Sequence, residues 1–144
     1  MKKHLKDFTL MGITVRTTNQ DGKSRQDIAN LYAKFFADNI ASLIEGKLST
    51  ELICAYTEYE TDMNGAYTVL LGYKVPESSN IPEGLESIHV HATDYEIFIS
   101  PDASPETVLN TWMEIWQSAT PRAYRTDFDI YLSDGTVETY ISVK

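Results

Sequence analysis

Residues 24–46, SRQDIANLYAKFFADNIASLIEG, carry the strongest periodic pattern in the chain. Apolar side chains recur there every three or four positions, which is the spacing of one face of an α-helix. The residues on this face are Ile28, Leu31, Tyr32, Phe35, Phe36, Ile40 and Leu43. Ser24 followed by Asp27 resembles a capping box, and Gly46 supplies a stop. The pattern predicts a helix that packs on the core and can also form one wall of a pocket.

The segments on both sides of this helix have the composition of β-strands. β-branched and aromatic residues are frequent in them, and turn residues such as Asn64-Gly65 separate them. The predicted strands are residues 8–17, 52–60, 66–75, 85–100 (with a bulge near Thr93-Asp94), 123–133 and 136–143. A second helix is predicted after Ser104, its N-cap residue, with Pro105 in the first turn and Pro121 beyond the end.

These elements occur twice in the order strand, helix, strand, strand, on either side of a polar connector at residues 76–84. The order favours an α+β fold in which two pseudo-symmetric β-α-β-β units form an antiparallel sheet with two helices and a central ligand cleft. We predict one domain over residues 1–144, with half-units at about 7–76 and 85–144. Only the order of secondary-structure elements repeats, because the residues of the two halves barely match.

Charge and composition exclude several classes of function. The 144 residues carry 12 Lys and Arg against 21 Asp and Glu, a net charge of −9, and no basic stripe offsets it. Such a surface repels phosphate backbones, so no nucleic acid partner is expected. Apolar runs are too short to cross a bilayer, and none follows the basic start as in a signal peptide, so we expect a cytoplasmic protein without a membrane partner. Cys54, the single cysteine, is expected to be buried and inert.

Several strings resemble, in order, the GyrI-like domains, also called AraC-type effector-binding domains. The strings are FTLMGITV (8–15), AYTEY (55–59), YTVLLG (67–72), IPEGL (81–85), TWMEIW (111–116), RAYRTDFDIY (122–131) and VETY (137–140). No single string is specific, but together they extend from about Asp7 to Lys144. Members of this family are ligand sensors fused to DNA-binding helices, binders of lipophilic or cationic compounds, and a gyrase-inhibitory protein, and a subset looks like hydrolases of strained rings. The resemblance implies a stand-alone member.

Glu138 and Tyr140 are the first candidates for ligand contact. They alternate with Val137 and Ile141 in the last strand and therefore share one face of it. The resemblance implies that an acidic residue followed two positions later by Tyr lines the ligand cavity, and Glu138 matches that pattern. A carboxylate in an apolar hollow would hold a cationic ligand, or its pKa would rise so that it could act as an acid or base. The alternative is an edge-strand glutamate that faces water.

Asp129 and Tyr131 repeat this spacing one strand earlier. The hairpin predicted at Ser133-Asp134-Gly135-Thr136 would make the two strands antiparallel neighbours, so Asp129 could lie near Glu138 and Tyr140. Two facing carboxylates would suit general acid–base chemistry on a hydrolysable ligand, and they would equally suit a solvated face.

Aromatic residues supply the remaining candidates, since the chain has nine Tyr and two Trp. A tyrosine offers a π face to a flat or cationic ligand and a hydroxyl for hydrogen bonding. Tyr56 and Tyr73 are candidates on the second and third strands, although Tyr73 shares its strand face with core residues. Trp112 and Trp116 lie one turn apart on the apolar face of the second helix. They are either core or a ligand platform, and the resemblance gives these alternatives equal weight.

Other motifs predict neither a cofactor nor a metal. His89-Val90-His91 could place two imidazoles on one strand face, a spacing usable for zinc, but no third ligand is evident. The sequence contains no phosphate-binding loop, no nucleophile elbow and no His-Glu-x-x-His string. No catalytic residue is therefore assigned.

The sequence predicts reversible binding of a small hydrophobic, and in one version cationic, organic ligand. One alternative is a hydrolase of an electrophilic compound that uses Glu138. The other is a protein inhibitor whose acidic surface meets a basic partner such as gyrase.

Overall fold

Eight strands and two long helices make up the fold in the computed structural model, which describes all residues from Met1 to Lys144. The strands are β1 (Lys2–Leu5), β2 (Phe8–Thr18), β3 (Ile53–Thr57), β4 (Ala66–Val75), β5 (Glu86–Val90), β6 (Thr93–Ser100), β7 (Asp127–Tyr131) and β8 (Val137–Ser142). The helices are α1 (Lys23–Ala37), the single turn α2 (Ile40–Leu43) and α3 (Pro105–Gln117), and a 3-10 turn, Gln20–Gly22, precedes α1. The α+β class with an antiparallel sheet and two main helices is confirmed.

All eight strands belong to one antiparallel sheet, whose order is β1-β6-β8-β7-β3-β4-β2-β5. The order is symmetric about the central pair, β7 and β3. Strands β1, β2, β3 and β4 of the first half stand where β5, β6, β7 and β8 of the second half stand on the other side. Each half therefore has one strand more than predicted and follows the order β-β-α-β-β.

The outermost strands are exchanged between the halves, and this exchange bends the sheet. β1 pairs only with β6 of the second half, and β5 pairs only with β2 of the first half. Only two residues join β1 to β2, and only two join β5 to β6. Three residue steps span at most about 11 Å. The two ends of the sheet must therefore lie side by side, and the sheet curls.

Two facing glycines allow close backbone approach within the curled sheet. Gly12 of β2 is the register partner of Gly72 of β4. A Cβ at Gly12 would collide with the carbonyl oxygen of Leu71, and one at Gly72 would collide with that of Met11. Glycine inside a strand commonly marks such a bend.

Two hydrophobic cores lie on opposite faces of the sheet. On one face, α1 packs on the first half through residues such as Leu31 and Phe35, and α3 packs Trp112 and Ile115 against Ile141. The other face carries no helix. Its side chains, from the central strands and from both ends of the sheet, form a core of their own that the curl encloses. Cys54 is fully buried on the helix side, and burial raises the pKa of its thiol to about 12.

Some element boundaries differ from the sequence prediction. β1 was not predicted, and the strand predicted over residues 85–100 is split into β5 and β6 at His91-Ala92, just before the bulge predicted near Thr93-Asp94. The first helix is interrupted after Ala37, because Asn39 takes a left-handed conformation with φ of 48°. Ser24 makes no capping bond, and the carboxylate of Asp27 instead accepts hydrogen bonds from Thr17 and Lys23.

The assignment of Ser104 as the N-cap residue of α3 can be tested by substitution. The Oγ of Ser104 accepts a hydrogen bond of 3.2 Å from the backbone N–H of Thr107. We expect Ser104→Ala to lower the free energy of unfolding by about 1 kcal/mol in urea denaturation, because one N–H at the helix start loses its partner. Ser24→Ala is the matched control and should change stability by less than about 0.5 kcal/mol. Equal losses in the two variants would contradict the assignment.

Candidate functional site

A large cavity lies between α1 and α3, above the centre of the sheet. Its volume is about 910 Å³, and 15 of its 22 lining residues are hydrophobic. This volume lies at the upper end of the range typical of small-molecule sites. The lining residues are Asn19, Ser24, Arg25, Ile28, Ala29, Tyr32, Phe36, Leu52, Tyr56, Tyr59, Met63, Tyr67, Ala103, Pro105, Glu106, Val108, Leu109, Trp112, Trp116, Arg122, Asp129 and Tyr131.

Aromatic rings form much of the wall, including five tyrosines and both tryptophans of the chain. The rings of Tyr56 and Trp112 meet edge to face, with centroids 5.0 Å apart, and Trp116 lies 6.2 Å from Trp112. The hydroxyls of Tyr32 and Tyr131 are 2.8 Å apart and join α1 to β7. Hydrogen bonds and ring contacts between different elements hold these side chains in place, so the wall is largely formed before a ligand enters.

Asp129 is the buried acid of the cavity. Its carboxylate accepts hydrogen bonds from the Tyr56 hydroxyl at 2.7 Å, from Trp112 Nε1 at 3.2 and 3.3 Å, and from the Thr139 hydroxyl. The residue is 1% exposed. Burial raises the pKa of the Asp129 carboxyl above its ordinary value, and the three hydrogen bonds offset this effect only in part. The fold therefore holds a carboxylate at the floor of an apolar cavity.

A buried ion pair lies beside Asp129. Arg122 Nη2 is 2.8 Å from Asp127 Oδ2, and the hydroxyl of Tyr59 donates to the same oxygen. Nε and Nη1 of Arg122 have no hydrogen-bond acceptor, but the guanidinium Cζ lies 4.4 Å from the Tyr124 ring centroid. Cation–π attraction partly replaces the missing bonds. Arg122 pairs with Asp127 and forms no salt bridge with Asp129, so ionisation of Asp129 leaves one negative charge uncompensated.

The structure brings together five of the eight residues selected from the sequence. Tyr56, Trp112, Trp116, Asp129 and Tyr131 line the cavity. The other three, Glu138, Tyr140 and Tyr73, do not.

The placement of Glu138 and Tyr140 on the cavity wall is corrected by the structure. Both side chains lie on the face of the sheet that carries no helix, where Tyr140 stacks on Phe128 with ring centroids 4.7 Å apart. The Tyr140 hydroxyl donates to Glu138 Oε1 at 3.2 Å. The hydrolase alternative paired Glu138 with either Asp129 or a Tyr hydroxyl. The sheet separates Glu138 from Asp129, and the hydroxyl beside Glu138 is that of Tyr140.

The register of the β7–β8 hairpin explains this separation. Leu132 N–H donates to the Thr136 carbonyl, and Gly135 between them has a positive φ of 91°, so three residues form the loop. Asp129 is therefore the partner of Thr139, and Ile130 is the partner of Glu138. A one-residue change in register moves every side chain of a strand to the other face.

Tyr73 lies on the helix side of β4 but outside the cavity. Its ring packs near Phe35 of α1, with centroids 6.0 Å apart, and Lys47 lies 5.3 Å from its centroid. Tyr67, six residues earlier on the same face, is the β4 tyrosine that lines the cavity. Tyr73 is therefore a packing residue at the edge of the first core.

Sequence reasoning missed several of the wall residues. Tyr32 was identified only as part of a helix face that could form a pocket wall, and Tyr59, Tyr67 and Arg122 were not selected. Tyr59 follows the end of β3, where Glu58 takes a positive φ of 52° and strand alternation no longer predicts the direction of a side chain. Arg122 directly follows Pro121 outside any long strand, so no periodic pattern could have identified it.

Comparison with known proteins gives the family. The sequence model described as Cass2, integron-associated effector binding protein, matches residues 3–143. The chain belongs to this family. The Cass2 family protein is also 26% identical over 152 residues to YobU of Bacillus subtilis strain 168, described as a candidate transcriptional regulator. This match covers 98% of the chain and 95% of YobU.

Solved structures share the fold of the Cass2 family protein. The integron cassette protein VCH_CASS2 from the mobile metagenome of Vibrio cholerae is 29% identical, with a TM-score of 0.81, and the match covers 100% of this chain and 95% of that one. SAV2435, solved bound to tetraphenylphosphonium, is 18% identical with a TM-score of 0.82 over 100% and 93% of the two chains. At this identity, the likeness to SAV2435 shows the fold alone. No helix of the Cass2 family protein is both long and apolar enough to span a membrane.

The raised pKa of Asp129 predicts a specific pH dependence of stability. A carboxyl whose folded-state pKa lies above its unfolded value binds more protons in the folded state, so its contribution to stability falls as pH rises through that interval. We expect the unfolding free energy of the wild type, minus that of Asp129→Asn, to decline from about pH 4 upward. Urea denaturation at a series of pH values measures this difference.

Asp102→Asn is a control of opposite sign. The backbone and side-chain hydrogen bonds from Ser104 and the bond from Thr107 lower the pKa of Asp102, so its stabilising contribution is lost only as pH falls below about 4. The unfolding free energy of the wild type, minus that of Asp102→Asn, should not decline above about pH 4. A difference for Asp129→Asn that rises with pH would show that hydrogen bonding outweighs burial at this carboxyl.

Proposed function

We propose that the protein reversibly binds a hydrophobic organic cation in the cavity between α1 and α3. The observation that carries this proposal is the buried Asp129 carboxylate at the floor of a large cavity whose walls are mostly aromatic and aliphatic. A neutral apolar ligand would fill the same volume but would leave the negative charge of this region uncompensated. A cation would regain the Coulomb attraction that a low-dielectric site strengthens.

The aromatic wall supports the same ligand class. Tyr and Trp faces attract a cation through their ring quadrupoles, and this attraction is stronger when the cation is desolvated. Flat or bulky apolar groups can pack against Trp112, Trp116 and Tyr56, which supply area with few rotatable bonds. The charge of the ligand would lie near Asp129, and its apolar groups would lie along the walls.

Relatives support the proposal independently of the cavity. The family is described by effector binding, and SAV2435, a protein of the same fold, has been solved with the lipophilic cation tetraphenylphosphonium. The description of YobU supports the further proposal that the chain serves as an effector-binding module of the transcription-regulator type.

Both tryptophans of the chain line the cavity, so intrinsic fluorescence reports on its occupancy. We expect tetraphenylphosphonium to cause a saturable change in Trp emission, because its phenyl groups would contact Trp112 and Trp116. Tetraphenylborate has the same shape and the opposite charge, and it should bind at least about tenfold more weakly, which corresponds to about 1.4 kcal/mol. Equal binding of the two ions would contradict the cationic form of the proposal.

Asp129→Asn tests which carboxylate is responsible. We expect this variant to weaken tetraphenylphosphonium binding by about tenfold or more, because it keeps the shape of the side chain and removes the charge. Glu138→Gln is the matched control, since it removes a carboxylate from the opposite face, and it should bind as the wild type does. Loss of binding in Glu138→Gln with retention in Asp129→Asn would reverse our assignment of the acid.

A further inference from the structure

Asp7, His89 and His91 form a cluster on the surface, outside the cavity. One potential ligand atom from each residue lies within 4.8 Å of the other two. The two imidazole rings are in contact, with centroids 4.7 Å apart and planes at 73°. All three residues are exposed. The two histidines that were recognised in the sequence thus have a third potential ligand, which the fold brings from 82 residues earlier in the chain.

The cluster lies where the two halves of the protein cross. Asp7 belongs to the two-residue connection between β1 and β2, and His91 belongs to the equivalent connection between β5 and β6. A hydrogen bond from backbone to side chain already joins these connections, since Ala92 N–H donates to Asp7 Oδ1 at 2.7 Å. His89 comes from β5, next to the register pair of Phe8 and Val90. Two segments of the chain, one with Asp7 and one with His89 and His91, therefore supply the three ligands at this crossing.

We propose that Asp7, His89 and His91 bind a divalent transition-metal ion of the zinc class, which ties the two crossing connections together. Two imidazoles and one carboxylate are donors that Zn²⁺ accepts readily, and three protein ligands leave its fourth position to water. Hard ions such as Mg²⁺ prefer an all-oxygen set and should not compete for this site.

The existing hydrogen bonds prepare the ligands for the ion. The bond from Ala92 to Asp7 Oδ1 fixes the carboxylate and leaves Oδ2 for the metal, which is the outer-shell arrangement common at zinc sites. His89 Nε2 is 2.8 Å from Oδ2, and the ion would replace this contact. Ligand atoms around tetrahedral zinc lie about 3.3 Å apart, so small rotations of exposed side chains would complete the site.

The test is Zn²⁺ titration of the full chain without an added histidine tag, followed by calorimetry or by competition with a chromophoric chelator. We expect one Zn²⁺ per chain in the wild type, a higher Tm with Zn²⁺ present, and no effect of Mg²⁺. His91→Ala should weaken Zn²⁺ binding at least about tenfold. Asp7→Asn should have a similar effect, and because its carbonyl oxygen can still accept the bond from Ala92, the local fold should persist.

His4→Ala is the matched control. His4 is an exposed histidine paired with Asp94 at 2.7 Å, and it resembles the proposed site except that it has no second imidazole. This variant should bind Zn²⁺ as the wild type does, and the Tm values of all variants without metal should agree within a few degrees. The proposal fails if no saturable Zn²⁺ binding occurs, if His91→Ala binds normally, or if His4→Ala loses binding equally.

Discussion

The fold depends on the two connections of two residues that join strands at opposite ends of one sheet. A chain that must pass from β1 to β2, or from β5 to β6, within so few residues cannot do so in a flat sheet. The curl that results encloses one core on the helix-free face. It leaves α1 and α3 on the other face, one from each half, with the junction of the halves between them. The cavity lies over this junction.

The central strand pair joins residues of different halves into one site. β3 of the first half pairs with β7 of the second, so Cys54 is the register partner of Asp129 and Tyr56 is the partner of Asp127. The hydrogen bond from Tyr56 to Asp129 therefore crosses the pseudo-twofold junction. A carboxylate in this position is costly to bury, and natural proteins tend to accept such a cost at functional sites. Its three donors limit the cost and fix its orientation.

The sequence predicted the architecture well because the architecture depends on patterns that a single strand or helix can carry. Helical spacing from Ile28 onward and the cap at Ser104 are local signals, and both helices are present. β1 escaped prediction because its residues, Lys2–Leu5, are mostly polar and exposed, and only pairing with β6 stabilises the strand. Local patterns do not reveal such a non-local partner.

The candidate site could be predicted only in part, and the reason is register. The alternation of β8 correctly placed Glu138 and Tyr140 on one face, but it did not show which face of β7 they share. The three-residue loop after Leu132 makes Thr139, and not Glu138, the register partner of Asp129. Glu138 was the first candidate in the sequence, and a single residue in a turn placed Asp129 on the cavity side of the sheet and Glu138 on the other side.

The exchange of outer strands also limits which substitutions each half can tolerate. A polypeptide cut within the connector at residues 76–84 would give two pieces, each holding an edge strand whose only partner is in the other piece. Each piece would also expose half of the core that the curl encloses. Each half buries its edge strand and part of its core only against the other, so a substitution at the shared seam of one half constrains the residues of the other, even though the two sequences barely match.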